Sequence, residues 1–236
     1  MDMHSQGTRP SSGEPRRRRD DSSARLLTVA ELIPHSDTVV DVGSDHGKLG
    51  VWCLRKAVCK NVIATDIHVL PARRSEERFE REGLSDRAHV RVTDGLSGVA
   101  LREDMTVAIA GMGGLEICKI LDHAMREGEG MPKGIHLVLQ PQRSFFEVRT
   151  FLCETGYCIL DEKIAKERGH FYVVILAEYT GEPYSLTDTE RFLGPCILSG
   201  RPEFYDEYMA HEKTVMGKRA LGDPRCAEIL GNWENW

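Results

Sequence analysis

Acidic residues and glycines recur together in this chain, each time directly after a short apolar run. The stretch "TVVDVGSDHGKLG", Thr38 to Gly50, runs β-branched residues into Asp41 and then breaks into Gly43, Ser44, Asp45, His46 and Gly47. Further on, "NVIATDI" ends on Asp66 and Ile67, "HVRVTDG" on Asp94 and Gly95, and "MTVAIAGMGG" on Ala110, Gly111, Met112, Gly113 and Gly114. Glycines at such points let the chain turn tightly and bring bare amides up to a small ligand. A carboxylate after the second strand can accept both hydroxyls of a ribose. Asp94 is placed to meet an adenine amino group or ring edge. The glycine spacing bears on the ligand's charge. A pyrophosphate-binding turn wants G-x-G-x-x-G, whereas "GSDHGKLG" reads G-x-x-x-G-x-x-G with Asp45 inside it. That carboxylate repels an anion and, with Asp41, suits a sulfonium cation carrying an ammonium group. A nicotinamide dinucleotide, the obvious competitor, fits less well.

Residues so placed need strands whose carboxyl ends lie side by side. From Ala24 the chain alternates helix-like and strand-like segments: "SARLLTVAELI", "TVVDV", "KLGVWCLRKAV", "NVIATDI", "PARRSEERFEREG", "HVRVTDG", "MTVAIAG", "LEICKILDHAMRE", "IHLVLQP" and "FFEVRTFLCETG". Short apolar strands interleaved with amphipathic helices predict a parallel, doubly wound sheet. "YCILDEKIAKERGHFYVVILAEY" then reads as an antiparallel hairpin on the sheet edge. The expected fold class is α/β: a Rossmann-like, doubly wound, seven-stranded sheet with a C-terminal hairpin over residues 24–184. That arrangement is associated with S-adenosylmethionine-dependent methyltransferases. Residues 185–236 are expected to form a small helical extension, with Phe204, Tyr208, Met209, Val215 and Met216 mainly on one face of a helix and Lys213, Lys218 and Arg219 toward its end. Because it follows a complete sheet, the extension is not expected to build the cofactor pocket. Residues 1–23, with Arg16 to Arg19 followed by Asp20 and Asp21, have the composition of a disordered arm.

Bulk composition excludes several classes. No run of the 236 residues approaches the roughly 18 to 20 apolar positions of a membrane span, and the start lacks a signal-peptide core, so a cytoplasmic protein without a membrane partner is expected. The seven cysteines include no C-x-x-C pair, which argues against both a disulfide framework and a zinc site; no metal is expected. A net charge of -6 gives no global attraction to nucleic acid, so an RNA partner would need a local basic patch.

Taken in order, "DVGSDHGKLG", "IATDI", "VTDGL", "AIAGMGG", "LVLQPQ" and "GHFYVVILAE" resemble the bacterial tRNA (adenine-N1)-methyltransferases that modify adenine 22, and the resemblance runs from about Ala24 to Ala220. It departs at Lys48, where the family often has an aromatic residue, and in the Arg-rich arm. It implies S-adenosylmethionine as cofactor, held by Asp41, Gly43, Ser44, Asp45, His46, Gly47, Asp66, Ile67, Asp94, Gly95, Ala110 and Gly111. N1 of adenine brings its own in-plane lone pair, so alignment is needed more than a strong base, and the base must be unpaired or flipped into the pocket. Gly111, Met112, Gly113 and Gly114 are where that base is expected. His46 contacts the cofactor or the base, or else only packs. A tRNA partner would meet Gln140, Pro141 and Arg143 on the rim after the fifth strand, and Lys166, Arg168 and His170 around the hairpin turn. Two rivals stay open: a methyltransferase acting on a small molecule or protein, and a non-catalytic RNA-binding or cofactor-sensing module.

Overall fold

The β-branched and apolar runs form the strands Ser36–Val42 (β1), Cys59–Asp66 (β2), Ala88–Val92 (β3), Met105–Met112 (β4) and His136–Pro141 (β5), described here in a computed structural model covering residues 23–127 and 130–236. All pair in parallel, and their order with the last two strands is β3-β2-β1-β4-β5-β7-β6. Strands β6 (Tyr157–Glu167) and β7 (His170–Tyr179) form the hairpin, and β7 runs antiparallel to β5. Arg168 and Gly169, with φ of +50° and +81°, make a two-residue turn whose left-handed backbone matches the twist of the paired strands. The seven-stranded sheet and its edge hairpin are as expected.

Helices cover both faces, as a parallel sheet buried on two sides requires. On one face, α1 (Ala24–Leu32), α2 (Lys48–Arg55) and α3 (Val69–Arg81) enclose a cluster that includes Val29, Leu49, Val62 and Phe79. On the other, α4 (Gly114–Arg126) and α5 (Phe145–Glu154) bury Ile117, Leu121, Val148 and Leu152. Ser23 lies at the head of α1, where its Oγ accepts from Leu26 N as an N-cap. The Arg16 to Arg19 run lies outside the described residues.

The C-terminal extension comprises α6 (Asp188–Leu193), α7 (Pro195–Gly200), α8 (Tyr205–Arg219) and α9 (Pro224–Gly231), followed by a short turn of helix at Trp233–Asn235. Its apolar residues do not form a core of their own. Leu193, Ile197, Tyr208, Met216 and Cys226 belong to the same buried cluster as β4, β5 and α4. Phe204, expected inside the helix, instead precedes it in a left-handed conformation, φ +65°, and Val215 is only half-buried.

One buried ion pair ties the extension down. Arg149 on α5 and Glu162 on β6 are both removed from solvent, and Arg149 Nε donates to Glu162 Oε1 at 2.7 Å. Arg149 Nη1 also donates to the carbonyls of Arg191 (3.0 Å) and Phe192 (2.9 Å), while Glu162 Oε2 accepts from Cys196 N (3.0 Å) and Ile197 N (3.4 Å). The pair thus closes the end of α6 and the start of α7. Gly194 sits between them with φ +103°, and a Cβ there would fall 2.5 Å from Glu162 Oε2 and 2.8 Å from Arg149 Nη2. Only glycine fits both the backbone and the space.

Removing one member of a buried pair leaves the other charge without compensation. Glu162→Ala should therefore destabilise the protein by about 3 to 5 kcal/mol. A chain ending at Tyr184 deletes four of these hydrogen-bond partners and should unfold at lower denaturant than the full chain. Urea titrations followed by circular dichroism check both; equal midpoints would show that the pair is not what anchors the extension.

Candidate active site

The loops after β1 to β4 open on one edge of the sheet, because the register pairs Val42 with Thr65 and Ile109, and Asp66 with Val92. Backbone bonds lace these loops together. Gly43 N and Ser44 N both donate to Thr65 O, at 2.8 and 3.2 Å, Thr65 Oγ1 donates to Gly95 O (2.9 Å), and Thr93 N donates to Asp66 O (2.9 Å). The carboxylates that the sequence spaces dozens of residues apart are thereby gathered at one mouth.

Each has a different environment. Asp41 is buried, and Ser44 Oγ donates to its Oδ2 at 2.7 Å. Burial pushes its pKa up to about 6 against the opposing effect of the Ser44 bond, and the charge of nearby Asp66 adds to the rise. Asp66 is half-buried, and its Oδ1 accepts from His68 N at 2.9 Å. Asp94 is exposed, as are Ile67, Val69, Leu70 and Val92, an apolar rim around the same mouth. Asp45 and His46 lie on the outer side of the first loop with 3.5 Å between Oδ2 and Nε2, while Gly47 begins α2 and packs close to Phe79. Gly95 packs against Ile120, and Ala110 is half-buried at the end of β4.

The turn after β4 is the least regular part of the sheet. Its register with β5 shifts between Ala110 and Met112, which leaves Gly111 as an extra residue with φ +81°. The Gly111 N–H loses its strand partner and finds one in the side chain of Gln140, whose Oε1 accepts it at 3.1 Å. Arg25 Nη1 donates to the same oxygen at 2.6 Å, and Gln140 Nε2 donates to Pro141 O at 2.8 Å. Gln140, expected to face the substrate, is instead wholly buried, while Pro141, of small exposed area, lines the cavity beside α8. A buried amide must have its hydrogen bonds met inside the protein, and here they set the shape of the glycine turn.

The glycines of this turn also divide in role. Gly111 is exposed and Gly113 half-buried, and both face the ends of long side chains, with Arg25 Nη1 at 3.3 Å and Arg143 Nε at 3.7 Å from where a Cβ would stand. Gly114 does not. It is buried against the next loop, where a Cβ would fall 2.5 Å from Arg143 O, so it serves packing and not clearance. The Met112 side chain reaches across to Gly43 and leaves that residue no room for a side chain.

Around the hairpin, half-buried Lys166 pairs with Glu207 of α8 and lies 5.6 Å from the Phe171 ring centre. Arg143, Arg168 and His170 are exposed. Three residues that matter here carry no signal in the sequence. Arg25 reaches the glycine turn from the first helix, 115 positions from Gln140, and the Arg149–Glu162 pair forms only when α5 and β6 pack.

Comparison with known proteins places this arrangement. The family model described as "Methyltransferase domain" matches residues 22–175. The tRNA (adenine(22)-N(1))-methyltransferase of Bacillus subtilis (strain 168) is 35% identical over 156 residues, which cover 66% of this chain and 64% of that protein. Among solved structures, the B. subtilis M1A22 tRNA methyltransferase TrmK superposes with a TM-score of 0.72 at 26% identity, covering 91% of this chain and 94% of that one. Streptococcus pneumoniae Sp1610 in complex with S-adenosyl-L-methionine gives a TM-score of 0.75 at 26% identity, covering 88% and 99%. With the carboxylates and glycines at the loops after β1 to β4 and a family model spanning well over half its length, this chain belongs to the methyltransferase domain family.

Proposed function

We propose that this protein transfers a methyl group from S-adenosylmethionine to N1 of adenine 22 in a tRNA. The observation that carries this is the convergence of buried Asp41, half-buried Asp66 and exposed Asp94 on the sheet edge that also carries the glycine turn of Gly111 and Gly113. The names of the Bacillus relative and structure support it, as does the cofactor solved with Sp1610.

The residues fit that cofactor. Asp41 offers a desolvated negative charge to an ammonium group, and the Asp66 oxygen not taken by His68 is free to accept ribose hydroxyls. Ile67 and Asp94 flank the position of an adenine ring, one by apolar contact and one as acceptor. Gly43, Ser44, Asp45, His46, Gly47, Gly95 and Ala110 shape the surrounding loops. When bound, the cofactor supplies an electrophilic methyl on a sulfonium centre.

The chain's own task is then alignment. N1 of adenine presents an in-plane lone pair and no proton, so no residue has to act as a strong base. Gly111 and Gly113 present backbone without side chains to a flipped ring, with the long Arg25 and Arg143 side chains beside them, and Met112 closes the wall between the glycine turn and the first loop. Arg25, through Gln140, holds the Gly111 amide where the bulge puts it. Arg143, Arg168 and His170 are exposed cations or donors on the rim for phosphates of the tRNA. Residues 24–184 form the catalytic unit, and residues 185–236 form an extension that walls its substrate side. On this reading the protein works in the cytoplasm, where tRNA is modified; among the described residues no helix is long and apolar enough to cross a membrane.

Incubation with labelled S-adenosylmethionine and unmodified tRNA, followed by nucleoside mapping, should find 1-methyladenosine at position 22. Label that enters protein or small molecules but no tRNA would refute the assignment.

Cofactor binding should depend on pH through Asp41. The folded pKa of about 6 lies above the ordinary 3.8, so ionising Asp41 opposes folding, and its contribution to the free protein's stability falls as pH rises from 3.8 through 6. An ammonium group favours the ionised form. Cofactor affinity should therefore drop about tenfold from pH 7 to pH 5, by the one-proton linkage. Calorimetry across that range checks it, and Asp41→Asn should flatten the profile.

Arg25→Ala should free Gln140 and loosen the glycine turn. We expect turnover on tRNA at saturating cofactor to fall on the order of tenfold while cofactor affinity changes little. Steady-state kinetics beside calorimetry separates the two; a loss of cofactor affinity with normal turnover would place Arg25 on the cofactor side.

A further inference from the structure

Between the loop after β5, the start of β7 and one side of α8 lies a cavity of about 760 Å³. Its size is that of small-ligand pockets. Asp41, Asp66 and Asp94 do not line it, so it is distinct from the mouth described above. Arg143 joins the two: it lines the cavity, and its Nε stands 3.7 Å from the position of a Cβ on Gly113.

The walls have an uncommon combination of chemistry. Phe171 presents a ring that meets Tyr208 edge-on at 5.9 Å and His211 at 5.6 Å. Arg143 and Arg219 line the cavity without a side-chain hydrogen bond or ion pair among the described residues. Glu212 on α8 does the same: it is half-buried, faces the cavity, and has no hydrogen-bonded or ion-paired partner among the described residues. Burial raises its pKa, while the charges of His211, Arg219 and Arg149 favour its ionised form. A purely apolar ligand would leave that carboxylate desolvated and unmatched, and a free anion would be repelled by it. A nucleotide meets all three features, with its ring among aromatic side chains, its phosphate on the arginines and N–H donors on the base edge.

We propose that this cavity holds a second nucleobase of the tRNA, splayed out beside the target adenine, with its donor edge on Glu212 and its phosphate toward Arg143 and Arg219. This rests on the tRNA methyltransferase function proposed above. Guanine matches best, because N1–H and N2–H are adjacent donors that span the two oxygens of one carboxylate. Adenine, cytosine and uracil each set an acceptor beside the donor. The base held here would fix which adenine reaches Gly111, since an occupied second site sets the register of the strand.

Calorimetry of the full-length protein with GMP and AMP, at saturating S-adenosylmethionine, tests this. GMP should bind with the cofactor present and more tightly than AMP. Glu212→Gln, which keeps size and removes charge, should weaken GMP about tenfold, leave cofactor affinity unchanged, and raise KM for tRNA with little change in kcat. If that variant fails to fold, Arg219→Gln is the second probe and should weaken GMP severalfold. Displacement of GMP by the cofactor, equal binding of GMP and AMP, or unaltered GMP binding in the folded variants overturns the proposal. A protein that binds GMP as described yet methylates no tRNA refutes the reaction and upholds the cavity; one that methylates tRNA and ignores GMP does the reverse.

Discussion

Arg149 and Glu162 face each other with no access to solvent, and the position of everything after residue 185 depends on them. Two ions taken from water cost several kcal/mol each, and their attraction offsets this only if the remaining donors and acceptors are also met. Most of them are met by backbone of the extension: two carbonyls at the end of α6 and two amides at the start of α7. Without the extension the pair would be a buried liability; without the pair α6 and α7 would lack a fixed seat. The interdependence is why α8 stands where it does, and α8 is one wall of the cavity beside the glycine turn.

A second chain of dependence runs through the turn after β4. The bulge at Gly111 shifts the register with β5, and in doing so removes a strand partner from an amide. Gln140 supplies the missing acceptor, and Arg25 fixes Gln140. The first helix thus acts on the site from behind the sheet. Nearer the mouth, crowding of carboxylates raises the pKa of Asp41 on top of burial, an arrangement that favours a cationic group. Both effects come from groups that are distant in sequence and adjacent only once the parallel sheet has formed.

How much could be read without coordinates varied by element. The strands, their order of appearance and the hairpin were legible because β-branched runs of five to eight residues between amphipathic helices have few other solutions. That Asp41, Asp66 and Asp94 gather on one edge was legible because each lies at or just past the carboxyl end of a strand in a parallel sheet. Gln140 misled for the same reason: it also ends a strand, but the bulge beside it turned its side chain inward. Gly114 misled because "AGMGG" does not say which glycine faces space and which faces the backbone of Arg143. Lys166 was counted as a cation for RNA, and its pairing with Glu207, 41 residues later, could not be read from the hairpin. The extension was legible as helical with one apolar face, whereas the buried Arg149–Glu162 pair that seats it on the domain was not.

By itself, then, the sequence determined the sheet, the edge on which the carboxylates and glycines gather and the acidic character of that edge, since these follow from local periodicity and from where apolar runs stop. Tertiary structure alone decided which polar side chains face the ligand and which complete the protein. That choice depends on whether a buried donor or acceptor finds a partner, and the partners that fix the Gly111 amide, the Gln140 oxygen and the Arg149 and Glu162 charges come from segments 13 to 115 residues away. Hydrogen-bond satisfaction in a buried site is a property of the packed molecule, and no spacing of residues along the chain encodes it.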